Sequence, residues 1–181
     1  MPTNHPTNHP ATHAGTRSRT ATRTRKAPPA DALKLLRADH AEVKKLFREY
    51  DKLAKADAPD DEREALALDI CNKLTVHAQI EEEIFYPACR DVLQDKDDLL
   101  DEASVEHASA KDLIAQLQSS SPDDDLYDAK VKVLGEYIDH HVKEEQNELF
   151  PKVRPKLDRK ELGEQLQARK QELLARIDAT H

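Results

Sequence analysis

The sequence predicts an all-α fold: an up-down-up-down four-helix bundle with an added C-terminal helix and a disordered N-terminal tail. Three observations carry this reading. Only three glycines occur in 181 residues, which argues against a β-rich fold. Charged residues make up 35% of the chain, tryptophan is absent and aromatics reach only 4%, a balance typical of long, surface-charged helices. Apolar residues also recur three and four apart through four segments joined by short connections, the signature of amphipathic helices in a bundle. With 38% hydrophobic content the chain suits one modest core.

The elements follow in order. Residues 1–30 differ in kind from the rest, with a Pro-Thr-Asn-His repeat at 2–9 and a Thr/Arg-rich run from Thr16 to Arg25. They hold Arg17, Arg19, Arg23, Arg25 and Lys26 and no acid, a charge of +5, whereas 23 basic and 36 acidic residues give −13 over 31–181. A segment so polar, with no helical apolar face, reads as a disordered basic tail. The histidines His5, His9 and His13 and the five basic residues form no specific metal or nucleic-acid signal. The lack of acids faintly resembles an organelle transit peptide, but the prolines disfavour its amphipathic helix.

The bundle occupies 31–157. A first helix starts at the N-cap Asp31 and runs to about Ala56, with the stripe Leu33, Leu36, His40, Val43, Phe47, Tyr50 and Ala54. Asp60-Asp61-Glu62 opens a second helix, acids suited to its positive end, whose stripe is Leu66, Ile70, Leu74, His77, Glu81, Ile84 and Ala88; Pro87 should kink or end it. After an acidic connection around Asp91 to Asp98, a third helix carries Leu100, Ala103, His107, Ala110, Ile114 and Leu117 up to Ser119-Ser120-Ser121-Pro122. A fourth begins near Asp123 and carries Val131, Leu134, Ile138, His141, Glu145 and Leu149, stopped by Pro151 and Pro155. Asp158 and Glu161 resemble a capping box for a fifth helix over 158–181, whose apolar stripe (Leu162, Leu166, Leu173, Ile177) suits packing on the bundle or a second subunit.

The informative feature is polar. Each of the four bundle helices places a histidine in its apolar stripe, and the second and fourth add a glutamate four residues on, so both read His-x3-Glu-x5-Pro: His77, Glu81, Pro87 and His141, Glu145, Pro151. Residues four apart share a helix face, so each pair is a ready metal half-site. One core histidine is more often a packed structural residue than a ligand, but burying a carboxylate unpaired costs several kcal/mol. Six converging positions reverse the odds. Hairpin geometry agrees, because residues equidistant from a turn lie at one height. The midpoint of His40 and His77 is 58.5, at the Ala58-Pro59 turn; that of His107 and His141 is 124, inside the third connection; that of His77 and His107 is 92, at the edge of the second.

His140 and Glu144 form a competing His-x3-Glu pair. The stripe through Leu134, Ile138 and Leu149, and the ten-residue distance from each histidine to its proline, select His141 and Glu145. His140, Glu144, Glu82 and Glu83 are left as flanking residues. Nitrogen and oxygen donors without thiolates suit iron or manganese, and two carboxylates able to bridge suggest two ions. Zinc accepts imidazole well too, although one structural zinc needs only four of the six groups.

The combination of Asp39-His40, His77-x3-Glu81, Glu106-His107 and His141-x3-Glu145 with its Phe-Pro sequel resembles the hemerythrin-like family, in its His-His-Glu (HHE) cation-binding branch, across roughly residues 31–157. The resemblance implies an oxo- or hydroxo-bridged, non-haem di-iron centre with His40 and His77 on one iron, His107 and His141 on the other, and Glu81 and Glu145 bridging. Two departures stand out. Oxygen-carrying hemerythrins have a second histidine one turn along the third helix, where this chain has Lys111 after His107 and Ala103 before it. They also have Asp five residues after the last histidine, where this chain has Gln146. Exchangeable positions on both irons are expected, and the resemblance implies metal binding in place of simple oxygen carriage.

The leading expectation is a di-iron protein that binds or senses O2, peroxide or NO, with peroxide breakdown as the enzymatic alternative and iron storage or handling as a third. Family members that repair iron centres usually carry an N-terminal cysteine, and residues 1–30 have none. Tyr137, one turn before His141 at the stripe's edge, is the candidate hydrogen-bond or electron donor. No Ser or Cys sits beside a stripe histidine with an orienting acid, and no phosphate-cradling glycine loop occurs. No apolar run approaches the roughly 18 to 20 residues that span a bilayer, and no apolar h-region follows the start. Cys71 and Cys89 lie too far apart on one helix for a disulfide, so the expectation is a soluble, cytoplasmic protein without a membrane partner.

Overall fold

The structure is a computed structural model that describes Met1 and residues 31–94 and 98–179. The expected disordered tail lies outside the described residues, Met1 excepted. The described chain is helical throughout: α1 (Ala32–Lys55), α2 (Asp60–Ile80), α3 (Tyr86–Leu93), α4 (Leu99–Gln118), α5 (Tyr127–Glu144), α6 (Phe150–Val153) and α7 (Arg159–Asp178). One π-turn, Glu81–Phe85, joins α2 to α3, and a second, Glu145–Leu149, joins α5 to α6. These segments make four rods that run up, down, up and down. α1 packs on α2 and α5, α4 packs on the same two, and α7 lies across α1 and α2.

Local chemistry sets the ends. The Asp31 carboxylate accepts the Lys34 N–H at 3.2 Å, and Asp158 accepts those of Lys160 and Glu161. Asp60, Asp61 and Glu62 occupy the positive first turn of α2. Asp57 (φ 49°) and Gln94 (φ 59°) take the left-handed conformation that ends α1 and α3. The fourth rod starts at Tyr127 instead of near Asp123. Asp124 accepts the Leu126 N–H through its side chain at 2.9 Å and the Tyr127 N–H through its carbonyl, and this turn holds residues 124–126 out of the helix.

Neither Pro87 nor Pro151 ends its rod. A proline inside an α-helix removes a donor and collides with the carbonyl four residues back. The π-turns relieve this by widening the spiral just before each proline. Tyr86 N–H reaches back to the Glu81 carbonyl and Phe150 N–H to that of Glu145, so the proline enters as an early residue of a fresh segment. The second rod therefore extends to Leu93, into the stretch expected as a loop. Pro155 does end the fourth rod, just beyond Val153.

Two apolar clusters fill the bundle. One, around Leu36, Ile80, Phe85, Leu100, Leu149 and Phe150, includes Leu162, Leu166 and Leu173 of α7. The other, around Val43, Ile70, Leu74, Ile114, Leu134 and Ile138, fills the opposite end. There Tyr50 donates to Asp128 at 2.6 Å while Arg63 holds the second oxygen of that carboxylate at 2.7 Å. Between the clusters every rod changes character at one height. Among the described residues the buried polar or charged side chains are Asp39, His40, His77, Glu81, His107, His141 and Glu145. Leu134 is fully buried in the second cluster, so Leu134→Ala should lower urea-unfolding stability by about 3 kcal/mol. The same truncation at exposed Val105 should change it by less than about 0.5 kcal/mol.

Candidate metal centre

Nε2 of His40 and Nε2 of His77 lie 2.9 Å apart, and Nε2 of His107 and Nε2 of His141 lie 3.2 Å apart. Glu81 spans the two pairs. Its Oε1 is 3.1 Å from His77 and 3.9 Å from His40, while its Oε2 is 3.5 Å from His107. Glu145 enters from the fourth rod with Oε2 at 3.3 Å from His40. Two groups therefore have metal-ligating geometry, His40–His77–Glu81 and Glu81–His107–His141, and they share a carboxylate.

A residue the helical stripe did not reveal completes the layer. Tyr86 is buried, with its hydroxyl 3.3 Å from Nε2 of His107, 3.5 Å from Nε2 of His141 and 3.4 Å from Glu81. On the His107–His141 half it stands where Glu145 stands on the other. Its inward aim follows from the π-turn. The extra residue shifts the buried register, so that Phe85, Tyr86 and Cys89 face inward while Ile84 and Ala88 are only half-buried. A proline in mid-helix, placed after an aromatic and five residues beyond a stripe glutamate, was the available signal. Tyr137, by contrast, is 48% exposed and lines an outer groove with Val105 and Val133, so the phenol at the centre is Tyr86. His140 is exposed and meets Glu106 and Glu144 at the surface.

The imidazoles are held from behind in a crossed pattern. Asp39, next to His40, faces Nδ1 of His77 at 3.5 Å, and Glu106, next to His107, takes Nδ1–H of His141 at 2.8 Å. Glu82, next to Glu81, takes Nδ1–H of His107 at 3.0 Å, and the amide of Gln146, next to Glu145, lies 2.9 Å from Nδ1 of His40. Each hairpin thus orients one histidine of its own and one of its neighbour. Where a carboxylate accepts Nδ1–H, as at His107 and His141, the neutral ring has Nε2 unprotonated and aimed into the layer, the ligand form of histidine, whereas the amide N–H of Gln146 donates to Nδ1 of His40 and leaves the proton of that neutral ring on Nε2.

Charge sharpens the picture. Burial lowers His40 to about 3, helped by positive charge on His77, and burial likewise lowers His107. Burial opposes protonation of His77 too, yet Glu81 and Asp39 outweigh it and raise that group to about 10. Glu81 is held well below the usual range, its desolvation overcome by His77, His107 and His40. Glu145 is driven well above the usual range by burial and by the charge on Glu81. Both oxygens of Glu145 and one of Glu81 have no hydrogen-bond partner. Polar atoms left so in a core cost about 1–3 kcal/mol each, and what they lack is positive charge. Two nitrogens about 2.1 Å from one ion and at right angles to it sit about 3 Å apart, close to both observed pairs. The donor set fits metal ions.

Over residues 31–153 the sequence matches the family described as Hemerythrin HHE cation binding domain. The chain belongs to that family. Its fold is similar to the crystal structure of a hemerythrin HHE cation binding domain-containing protein from Mycobacterium kansasii, with a TM-score of 0.64 and 25% identity over 79% of this chain and 86% of the other. A curated protein named DNA nickase from Nostoc sp. (strain PCC 7120 / SAG 25.82 / UTEX 2576) is 31% identical over 123 residues, 68% of this chain. The matched stretch is about a third of that relative's length, 33%.

Glu145 supplies a stability test on metal-free protein. The folded state holds the Glu145 proton more tightly than the unfolded chain, so folding takes up a proton here. Stability from this group is lost as pH rises from the ordinary carboxyl value of 4.5 toward the raised one. Glu145→Gln removes that loss. At neutral pH the metal-free variant should melt at least about 3 °C above metal-free wild type, with the gap closing toward pH 4, by circular dichroism.

Proposed function

We propose that this layer holds two iron ions and that the protein binds or senses a small oxidant or gas: O2, peroxide or NO. His40 and His77 would hold one ion and His107 and His141 the other, with Glu81 and Glu145 bridging and the Tyr86 oxygen as a further donor on the second half. The carrying observation is the single carboxylate of Glu81 turned toward both histidine pairs. Bound iron would supply redox equivalents and exchangeable positions. Manganese and zinc compete for the same donors, and the mixed set of four imidazoles and two carboxylates without a thiolate suits iron or manganese.

The size of the ligand comes from a second feature. Against the histidines, on the side of the second apolar cluster, lies a cavity of about 20 Å³ lined by Val43, Leu74, Ala110, Ile114, Ile138 and Val142. A water needs about 10–15 Å³ by this measure, so the cavity holds one molecule of about that size. Apart from the histidines, Asp39 and Lys111 its walls are aliphatic, which suits a small uncharged ligand. On the opposite side Tyr86 keeps its proton, because burial and the negative charge of Glu81 raise it well above the ordinary phenol value. A buried phenol beside the histidines is the observation that favours the peroxide-decomposing alternative, since it can donate a hydrogen atom or proton. Iron storage has less support, for the layer is finite and closed.

The likeness to the DNA nickase supports a shared domain and not DNA cutting, because a net charge of −13 over residues 31–181 repels the phosphate backbone. Among the described residues no helix is long and apolar enough to cross a membrane. Cys71 and Cys89 are buried free thiols, with burial raising Cys71 to about 11, which supports a reducing, cytoplasmic setting.

Anoxic reconstitution with ferrous iron should give two ions per chain, and His77→Ala or His141→Ala should leave about one or fewer, by elemental analysis. Wild type that never exceeds one ion sinks the bridged pair. Ala110→Leu fills the cavity, so NO binding read from the optical spectrum should weaken at least about tenfold at an unchanged iron count. Tyr86→Phe should cut peroxide consumption if the enzymatic reading holds and leave it at the level of free iron if it does not.

A further inference from the structure

The family match ends at residue 153, yet the centre is reached from beyond it. Lys170, midway along α7, places Nζ 2.5 Å from Oδ1 of Asp39, 131 residues away in sequence. The other oxygen of Asp39 faces Nδ1 of His77, and those two atoms have no hydrogen-bond partner of their own. Lys170 and Asp39 are mostly withdrawn from water, with side-chain exposures of 22% and 10%.

The groups behind the other histidines are met by side chains from within the bundle. Lys111 of α4 lies 2.5 Å from Glu82, His140 of α5 lies 3.6 Å from Glu106, and Arg37 of α1 donates to Gln146 at 3.2 Å. Asp39 draws its cation from α7. The His77 contact is also the longest of the four, so this imidazole is the one whose aim depends most on how its carboxylate is held. With Lys170 gone, Asp39 would be a buried carboxylate with neither oxygen hydrogen-bonded and free to turn away from His77.

We propose that α7 is a working part of the metal centre. Lys170 acts as a positioning residue that clamps Asp39 and thereby fixes Nε2 of His77, giving the His40–His77 half a dependence on the C-terminal helix that the His107–His141 half lacks. The inference rests on the reading that the layer binds metal. It differs from mere helix docking, which the apolar side chains Leu162, Leu166 and Leu173 and the bidentate Arg169–Glu83 pair already provide.

The test measures ferrous-ion affinity by competition with a chelator on the full chain, together with melting of the metal-free forms. Loss of an outer partner of a ligating histidine costs about 10- to 100-fold in affinity, and Lys170 acts one step further out. Lys170→Met should weaken one of two ions about tenfold and leave the other within about twofold, with metal-free melting lowered by a few degrees because the Asp39 carboxylate is bared. Lys170→Arg should restore affinity to within about threefold. Arg169→Leu breaks an ion pair of the same helix that touches no histidine partner, and it should leave both affinities unchanged. Equal affinities in wild type and Lys170→Met, or an equal loss in Arg169→Leu, would overturn the positioning role while leaving the metal reading intact. Wild type that takes up no ion overturns both.

Discussion

A bundle can bury four imidazoles and two carboxylates at one height only if each finds a partner, and that demand shapes the molecule. Outside the layer the interior is ordinary apolar packing. At the layer every ring nitrogen and carboxylate oxygen faces another polar group or stands bare, and the bare atoms belong to Glu81, Glu145, Asp39 and His77. The acids and amide behind the rings, and the cations behind those, extend the same demand outward to the surface, and one of these lines leads into α7.

The sequence made the bundle legible because its histidines interrupt apolar stripes of regular period. The hairpin midpoints added heights, and two of the three fall in observed connections. The third, between His77 and His107, falls at 92, within α3, since the rod runs on through Pro87 to Leu93. The same event hid Tyr86. A 3.6-residue period carried past Glu81 selects Ile84 and Ala88, whereas the π-turn brings Phe85, Tyr86 and Cys89 inward. Tyr137 looked favourable for the complementary reason: it keeps regular spacing from His141 but lies on the wrong flank of α5. The role of Lys170 had no local signature, because a lysine on a polar helix face looks the same whether it meets water or a buried aspartate.

The two hairpins are related by more than the His-x3-Glu-x5-Pro repeat. Asp39-His40 and Glu106-His107 occupy matching places, as do Glu81-Glu82 and Glu145-Gln146, and in each hairpin one Nδ1 contact stays within the hairpin while the other crosses to its neighbour. The correspondence fails at Gln146, where a neutral amide backed by Arg37 replaces a carboxylate backed by Lys111. His40 is thereby the ring with the least negative surroundings behind it. With the Tyr86 hydroxyl beside His107 and His141 only, the two halves differ in their surroundings despite their common plan.

A core divided in this way has a seam. The two apolar clusters meet across polar side chains, so cohesion between the ends of the bundle comes from the continuous rods and from whatever charge balance the layer achieves. Where that balance is poor the ends are weakly coupled, and each can open with less regard for the other. Cations seated in the layer would tie four rods together at mid-height, turning the plane of weakest cohesion into the one that makes folding of the two ends a single event.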